Sequence, residues 1–194
     1  MSTPSLSAPV LAEYIPGRRV RAVALVLTGT ILLTIAGQVA VPLPFTPVPV
    51  SLATGAVVLI GAAMGPALGA SSVLLYLVAG MAGLPLFADR ASGWAFASFG
   101  YILGYVAAVV IAGHLARRRA DRSVGRTIVL TALASLAVYA CGLPWLMAFL
   151  DVDLATGLAL GVTPFLIGDA AKMVAAAIVL PGAWRFVERV RGEE

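Results

Sequence analysis

From Ala22 to Ala88 the chain runs for 67 residues without one Asp, Glu, Lys, Arg or His. As helix, at about 1.5 Å per residue, that run is about 100 Å long, or roughly three crossings of a hydrocarbon core about 30 Å thick. The remaining composition points the same way: of 194 residues, 61% are hydrophobic and 11% charged, against about 45–50% and about 25% in an ordinary soluble domain. A soluble monomer is excluded. The expected class is an all-α, polytopic membrane protein.

Absences narrow the function. Cys141 is the only cysteine and His114 the only histidine, so no intrachain disulfide and no metal site is indicated. A phosphate-cradling P-loop needs a lysine after a glycine-rich turn, yet the one lysine, Lys172, follows Ala170 and Ala171 inside an apolar segment. ATP hydrolysis by that route is not available to this chain, and no cofactor is expected. Residues 1–17, with Pro4, Pro9 and Pro16, precede the basic cluster Arg18, Arg19 and Arg21. That order reads as a polar tail before a retained helix, not a cleaved signal peptide.

Charges and prolines cut the rest, residues 18–194, into six expected spans of one bundle, at about 20–41, 50–64, 67–84, 94–116, 127–150 and 163–184. The first ends in VPLPFTPVPV, where prolines alternate and cannot continue a helix. The second and third turn at Gly65 and Pro66, the fifth bends at Pro144, and the sixth begins with Thr163 as N-cap and Pro164 at its first position. With both termini in the cytoplasm, eleven of the thirteen cations lie inside: Arg18, Arg19, Arg21, the five arginines of residues 117–126, and Arg185, Arg189 and Arg191. This is the layout of a multi-pass protein of the cytoplasmic membrane. The basic stretch RRRADRSVGR has no interleaved aromatic residue, so it is read as topology fixing and anionic-lipid contact, with no nucleic-acid partner.

Topology leaves two cations unexplained, Arg90 in an outer loop and Lys172 in the last span. Lys172 follows Asp169 by three residues, which on a helix places both on one face. Counted from Pro164, they lie about 7–8 Å and about 12 Å below the outer end of the span. An ionisable residue there costs at least about 2.5–3.5 kcal/mol and normally faces a cavity or a bundle interior. An intrahelical pair that only locks packing is the plainer alternative. The other is a pocket open to the outside, lined by Asp169 and Lys172 and capped by the Arg90 loop, suited to a small ligand with a negative end and a hydrogen-bond-donating end. Tyr76, Phe87, Trp94 and Tyr101 are candidates for its apolar walls, or for interface anchors.

The segment VPLPFTPVPVSLATGAVVLIGAAMGPALGASSVLLYLVAGMAGLPLFA, followed by GYILGY, YACGLPWLMAFL and TPFLIGDAAKMVAAAIVLPGAW, resembles the BioY family, the biotin-specific S components of energy-coupling factor transporters. The resemblance runs from about Arg18 to Trp184. It implies a six-helix S component that captures biotin from outside with high affinity. The implied partners are a membrane coupling subunit and two cytoplasmic ATPases, with a homo-oligomer as the other arrangement. By motif, Asp169 and Lys172 match the family's acidic and basic ligand pair, Arg90 falls in the loop that supplies its arginine, and Tyr101 follows its aromatic. Thr54 and Ser98 are further candidates. Two departures stand out: SLAT with Ala53 where members usually carry a glutamine, and FASF where they usually carry GPTG. They leave an S component for another small vitamin as an alternative. An intramembrane enzyme using Asp169 is a third, disfavoured because no second catalytic group sits at matching depth.

Overall fold

The computed structural model describes residues 19–191; the expected polar tail, 1–17, and Arg18 lie outside them. The architecture is helical: α1 (Arg19–Gln38), a hairpin of β1 (Ala40–Leu43) and β2 (Thr46–Ser51), α2 (Ala53–Met81), α3 (Phe99–Arg117), α4 (Val124–Leu150), α5 (Leu154–Gly161) and α6 (Leu166–Arg191). Helix α1 packs on α2, α2 on α3, α3 on α4, and α4 on α6. Among the described residues five segments are long and apolar enough to cross a membrane: α1, α2, α3, α4 and the stretch Leu154–Val190 that joins α5 to α6.

The proline-rich segment is not a plain connector. It forms an antiparallel hairpin, with Val41 opposite Val50 and Leu43 opposite Thr46. The pairing continues at its base, where the Leu52 N–H donates to the Val39 carbonyl. Positions 39, 41, 50 and 52 therefore point their backbone groups across the hairpin, and Pro42 and Pro49 fall on the alternate, outward positions where a missing N–H costs no ladder bond. The same prolines that end α1 thus also blunt the outer edge of the hairpin. This is why α1 stops at Gln38, short of the expected Val41, and why α2 starts at Ala53.

Helix α2 is continuous in its assigned range but not straight. Gly65 has φ 76 and ψ 175, a region open essentially to glycine, and Pro66 follows. A Cβ added at Gly69 would lie 3.4 Å from the Gly61 Cα, whereas eight residues of straight helix separate two Cα atoms by about 12 Å. The chain folds back at this point. Gly113 of α3 packs against the turn, where a Cβ would come within 2.4 Å of the Pro66 nitrogen.

Other boundaries differ from expectation: the third span ends at Met81 and not at Leu84, the fifth starts at Val124 and not at Thr127, the last runs on to Arg191, and Val162, not Thr163, caps the turn before it. Residues 94–98 belong to the loop before α3, and the Trp94 side chain stands exposed. Before the last span there is an additional helix, α5, with Asp153 as N-cap accepting from the Thr156 N–H at 2.9 Å. That bond holds the Asp153 carboxyl below the usual carboxylate range. Thr163–Phe165 forms a short 3-10 turn, and α6 begins only at Leu166.

Candidate functional site

Between the hairpin and the upper halves of the helices lies a recess lined by Val48, Pro49 and Ser51 from β2, Ala53 and Thr54 from the start of α2, and Tyr76 from its second half. The loop after α2 contributes Phe87, Ala88, Phe96 and Ser98; α3 contributes Tyr101, Ile102 and Tyr105; α4 contributes Ser135, Val138 and Tyr139. Phe165, Asp169 and Lys172 complete it. The enclosed part admits the centre of a water molecule over about 60 Å³, and the empty space including the mouth is about 700 Å³.

Its polar centre is built on one turn of α6. The three-residue spacing puts Asp169 and Lys172 on one face, and their charges meet at 3.1 Å between Oδ1 and Nζ, with both side chains nearly buried. Lys172 Nζ also donates to Thr54 Oγ1 at 2.8 Å, which ties α6 to the start of α2. The Tyr139 hydroxyl donates to Asp169 Oδ2. Tyr139 is held in turn by a T-shaped contact with Tyr101, ring centroids 6.4 Å apart, and Tyr101 donates its hydroxyl to the Gly161 carbonyl at 2.8 Å. An ion pair this deep persists only because each charge is also hydrogen-bonded.

One wall is aromatic. Tyr76 and Phe87 meet edge to face at 5.1 Å, as do Phe96 and Phe99 at 5.7 Å and Phe99 and Trp145 at 5.3 Å, while Phe87 and Phe96 lie tilted at 5.8 Å. Trp145 donates its indole N–H to the Phe96 carbonyl at 3.0 Å. Phe87, although in a loop, is fully buried. Gln38, at the end of α1, fixes that loop by donating its side-chain amide to the carbonyls of Leu86 at 3.2 Å and Phe87 at 2.6 Å.

Of the residues marked out by sequence, the structure brings Asp169, Lys172, Tyr101, Tyr76, Phe87, Thr54 and Ser98 to one cavity. Arg90 and Trp94 are not in its lining. Arg90 is exposed two residues beyond Ala88, which does line it, and Trp94 is 60% exposed. Tyr139, Tyr105, Ser51, Phe96 and Phe165 line the cavity without having been singled out. For Tyr139 the signal is absent from a single chain, because one tyrosine among five acquires its meaning only when α4 meets α6.

Comparison with known proteins adds the relatives. The chain is 34% identical over 162 residues to the probable biotin transporter BioY of Pyrococcus horikoshii, covering 83% of this chain and 94% of that protein. It is 32% identical over 149 residues to the biotin transporter BioY of Rhizobium etli, covering 72% and 79%. The fold is similar to a crystal structure described as the S-component for biotin from an ECF-type ABC transporter, with a TM-score of 0.76 at 23% identity over 87% of this chain and 93% of that one. The model of the BioY family matches residues 6–189. That match takes in α1 to α5, all but the last two residues of α6 and the whole cavity lining, and on it the chain belongs to the BioY family.

Proposed function

We propose that this chain binds biotin from the outer face of the cytoplasmic membrane and serves its uptake as the S component of an energy-coupling factor transporter. It crosses the membrane six times, with α2 counted as two spans around Gly65 and with both termini inside. A coupling subunit and two ATPases complete the transporter, and ATP acts through them, so this chain needs no cofactor of its own.

The observation that carries the reading is the set of hydrogen-bonding positions left open in the cavity. Asp169 has about four acceptor positions, of which Tyr139 and Lys172 occupy one on each oxygen. Lys172 has three donors, of which Thr54 and Asp169 take two. Two acceptors and one donor remain, in a pocket otherwise aromatic and aliphatic. The ureido ring of biotin offers two N–H donors and one carbonyl acceptor on an apolar bicycle. Asp169 takes the ureido donors; Lys172 serves the carbonyl and carboxylate oxygens, with Arg90 attracting the carboxylate from the exposed loop outside the cavity lining. Tyr101, Tyr76 and Phe87 wall the ring, with Ser98 and Thr54 beside it and Trp94 on the adjoining loop.

Titration calorimetry of the purified protein with biotin tests this, and a folded protein that releases no heat and binds no biotin overturns it. Competition against dethiobiotin, thiamine and riboflavin separates biotin from another vitamin as the ligand.

A further inference from the structure

At the opposite end of the bundle a second feature is left unused by ligand capture. An open groove of about 420 Å³ runs between the end of α3 and the start of α4, walled by Leu115, Ala120, Val129 and Leu130, with Ser123 and Arg126 at its entrance. Arg126 is exposed and lies one helical turn before Leu130, so its charge borders an otherwise apolar lining. The groove therefore has a cationic entrance and an apolar interior.

The charge around it is unbalanced. Of the five arginines in residues 117–126, Arg122 pairs with Glu188 at 3.6 Å and stacks on Trp184 at 3.8 Å. Asp121 is fully buried and accepts from the Trp184 indole. Arg118, Arg119 and Arg126 are exposed and make no ion pair among the described residues. Asp121 and Glu188 thus each already have a partner, and among the described residues Arg118, Arg119 and Arg126 have no acidic counterpart.

We propose that this groove seats an anionic phospholipid, its phosphate on Arg126 and one acyl chain along Leu115, Ala120 and Val129. A free phosphate would leave the apolar wall unused, and a zwitterionic lipid brings a cation of its own to an entrance that is already cationic. The proposal rests on the chain crossing a membrane and is independent of what the cavity at the other end binds.

The test is native mass spectrometry of the full chain in neutral detergent with equal amounts of phosphatidylglycerol and phosphatidylcholine, and separately with glycerol phosphate. Wild type is expected to retain phosphatidylglycerol about fivefold more than phosphatidylcholine, as one arginine near a lipid surface gives. Arg126→Gln removes that preference, whereas Arg185→Gln, another exposed arginine on α6, keeps it. Val129→Trp, which fills the groove, lowers retention of phosphatidylglycerol; if that variant fails to fold, the two arginine variants still decide the matter. Equal retention of the two lipids, equal losses from Arg126→Gln and Arg185→Gln, or retention of glycerol phosphate as strong as that of phosphatidylglycerol would each overturn the proposal. Biotin titration of the same samples is expected to be unchanged, so a failure here is separable from a failure of the ligand reading.

Discussion

Asp169 and Lys172 depend on each other more than on any single ligand group. Changing either strands the other's charge in a nearly buried site, which is the costly way to break an ion pair. Asp169→Asn and Lys172→Ala are each expected to weaken biotin binding at least about tenfold, or about 1.4 kcal/mol, measured by calorimetry on the folded fraction. Unchanged affinity in both returns the pair to a packing role. Tyr139→Phe is the finer probe, since it deletes one donor to Asp169 and leaves the T-shaped contact with Tyr101 in place. A hydrogen bond to a charged group is worth about 1.5–3 kcal/mol, and part of it is lost as binding, so affinity is expected to fall about five- to tenfold with little change in melting temperature. A large fall in melting temperature at constant affinity would make Tyr139 a core residue only. Arg90 is exposed, so its pull on the ligand's oxygens acts across solvent and is worth less than about 1 kcal/mol. Arg90→Ala should therefore slow biotin association at low salt and leave the rate at high salt alone.

Elements were legible where one physical cause dominates, and opaque where two compete. Subtracting the cations that topology explains points to Lys172, because an ammonium inside an apolar helix has no cheap explanation; the same subtraction cannot tell Arg90, a solvated loop arginine, from one that lines a cavity. Alternating prolines were read for what they forbid, a helix, when their two-residue period also suits a hairpin whose outward positions need no N–H. Helix α5 is hidden by Gly157, Gly161 and Pro164, although Asp153 three residues before Thr156 is an ordinary N-cap signal. The Gly65–Pro66 turn was legible as a break. Its geometry makes a prediction: Gly65→Ala forces a Cβ into a conformation costing about 1–3 kcal/mol, so the variant is expected to unfold at lower temperature or denaturant, and an unchanged transition would mean the turn relaxes elsewhere. The α3–α4 connection carries a second. Burial raises the Asp121 carboxyl above its ordinary value, against the lowering effect of the Trp184 indole and of Arg122. An acid with a raised folded pKa binds protons more readily folded than unfolded, so its contribution to stability is present at acid pH and is lost as pH rises through the folded value. Asp121→Asn keeps an acceptor for Trp184 without the desolvated charge. Thermal melts from acid to neutral pH are expected to show a smaller decline for the variant than for wild type, and parallel curves would count against a titrating Asp121.

At the scale of the molecule, charge divides the chain into two ends with different tasks. The end bearing the hairpin, the loop of residues 82–98 and the Asp169–Lys172 pair has Arg90 as its only other described cation, and its polar groups converge on a cavity. The other end carries the arginines of 117–126 and of the last turns of α6, with few acids to balance them. The proposed capture of ligand on one side and contact with an energy source on the other needs such polarity, and the positive-inside rule predicts its direction. The orientation is open to a direct test that involves neither biotin nor lipid. In a Cys141→Ser background, which removes the one native thiol, a cysteine is introduced at exposed Ser92 or at exposed Arg118, and intact cells are treated with a membrane-impermeant maleimide. Ser92→Cys is expected to be labelled in intact cells and Arg118→Cys only after the membrane is opened. The reverse pattern would place the ligand cavity on the cytoplasmic side and the arginine-rich end outside, against the positive-inside placement and against capture from outside; labelling of both in intact cells would mean that the six-span path itself is wrong.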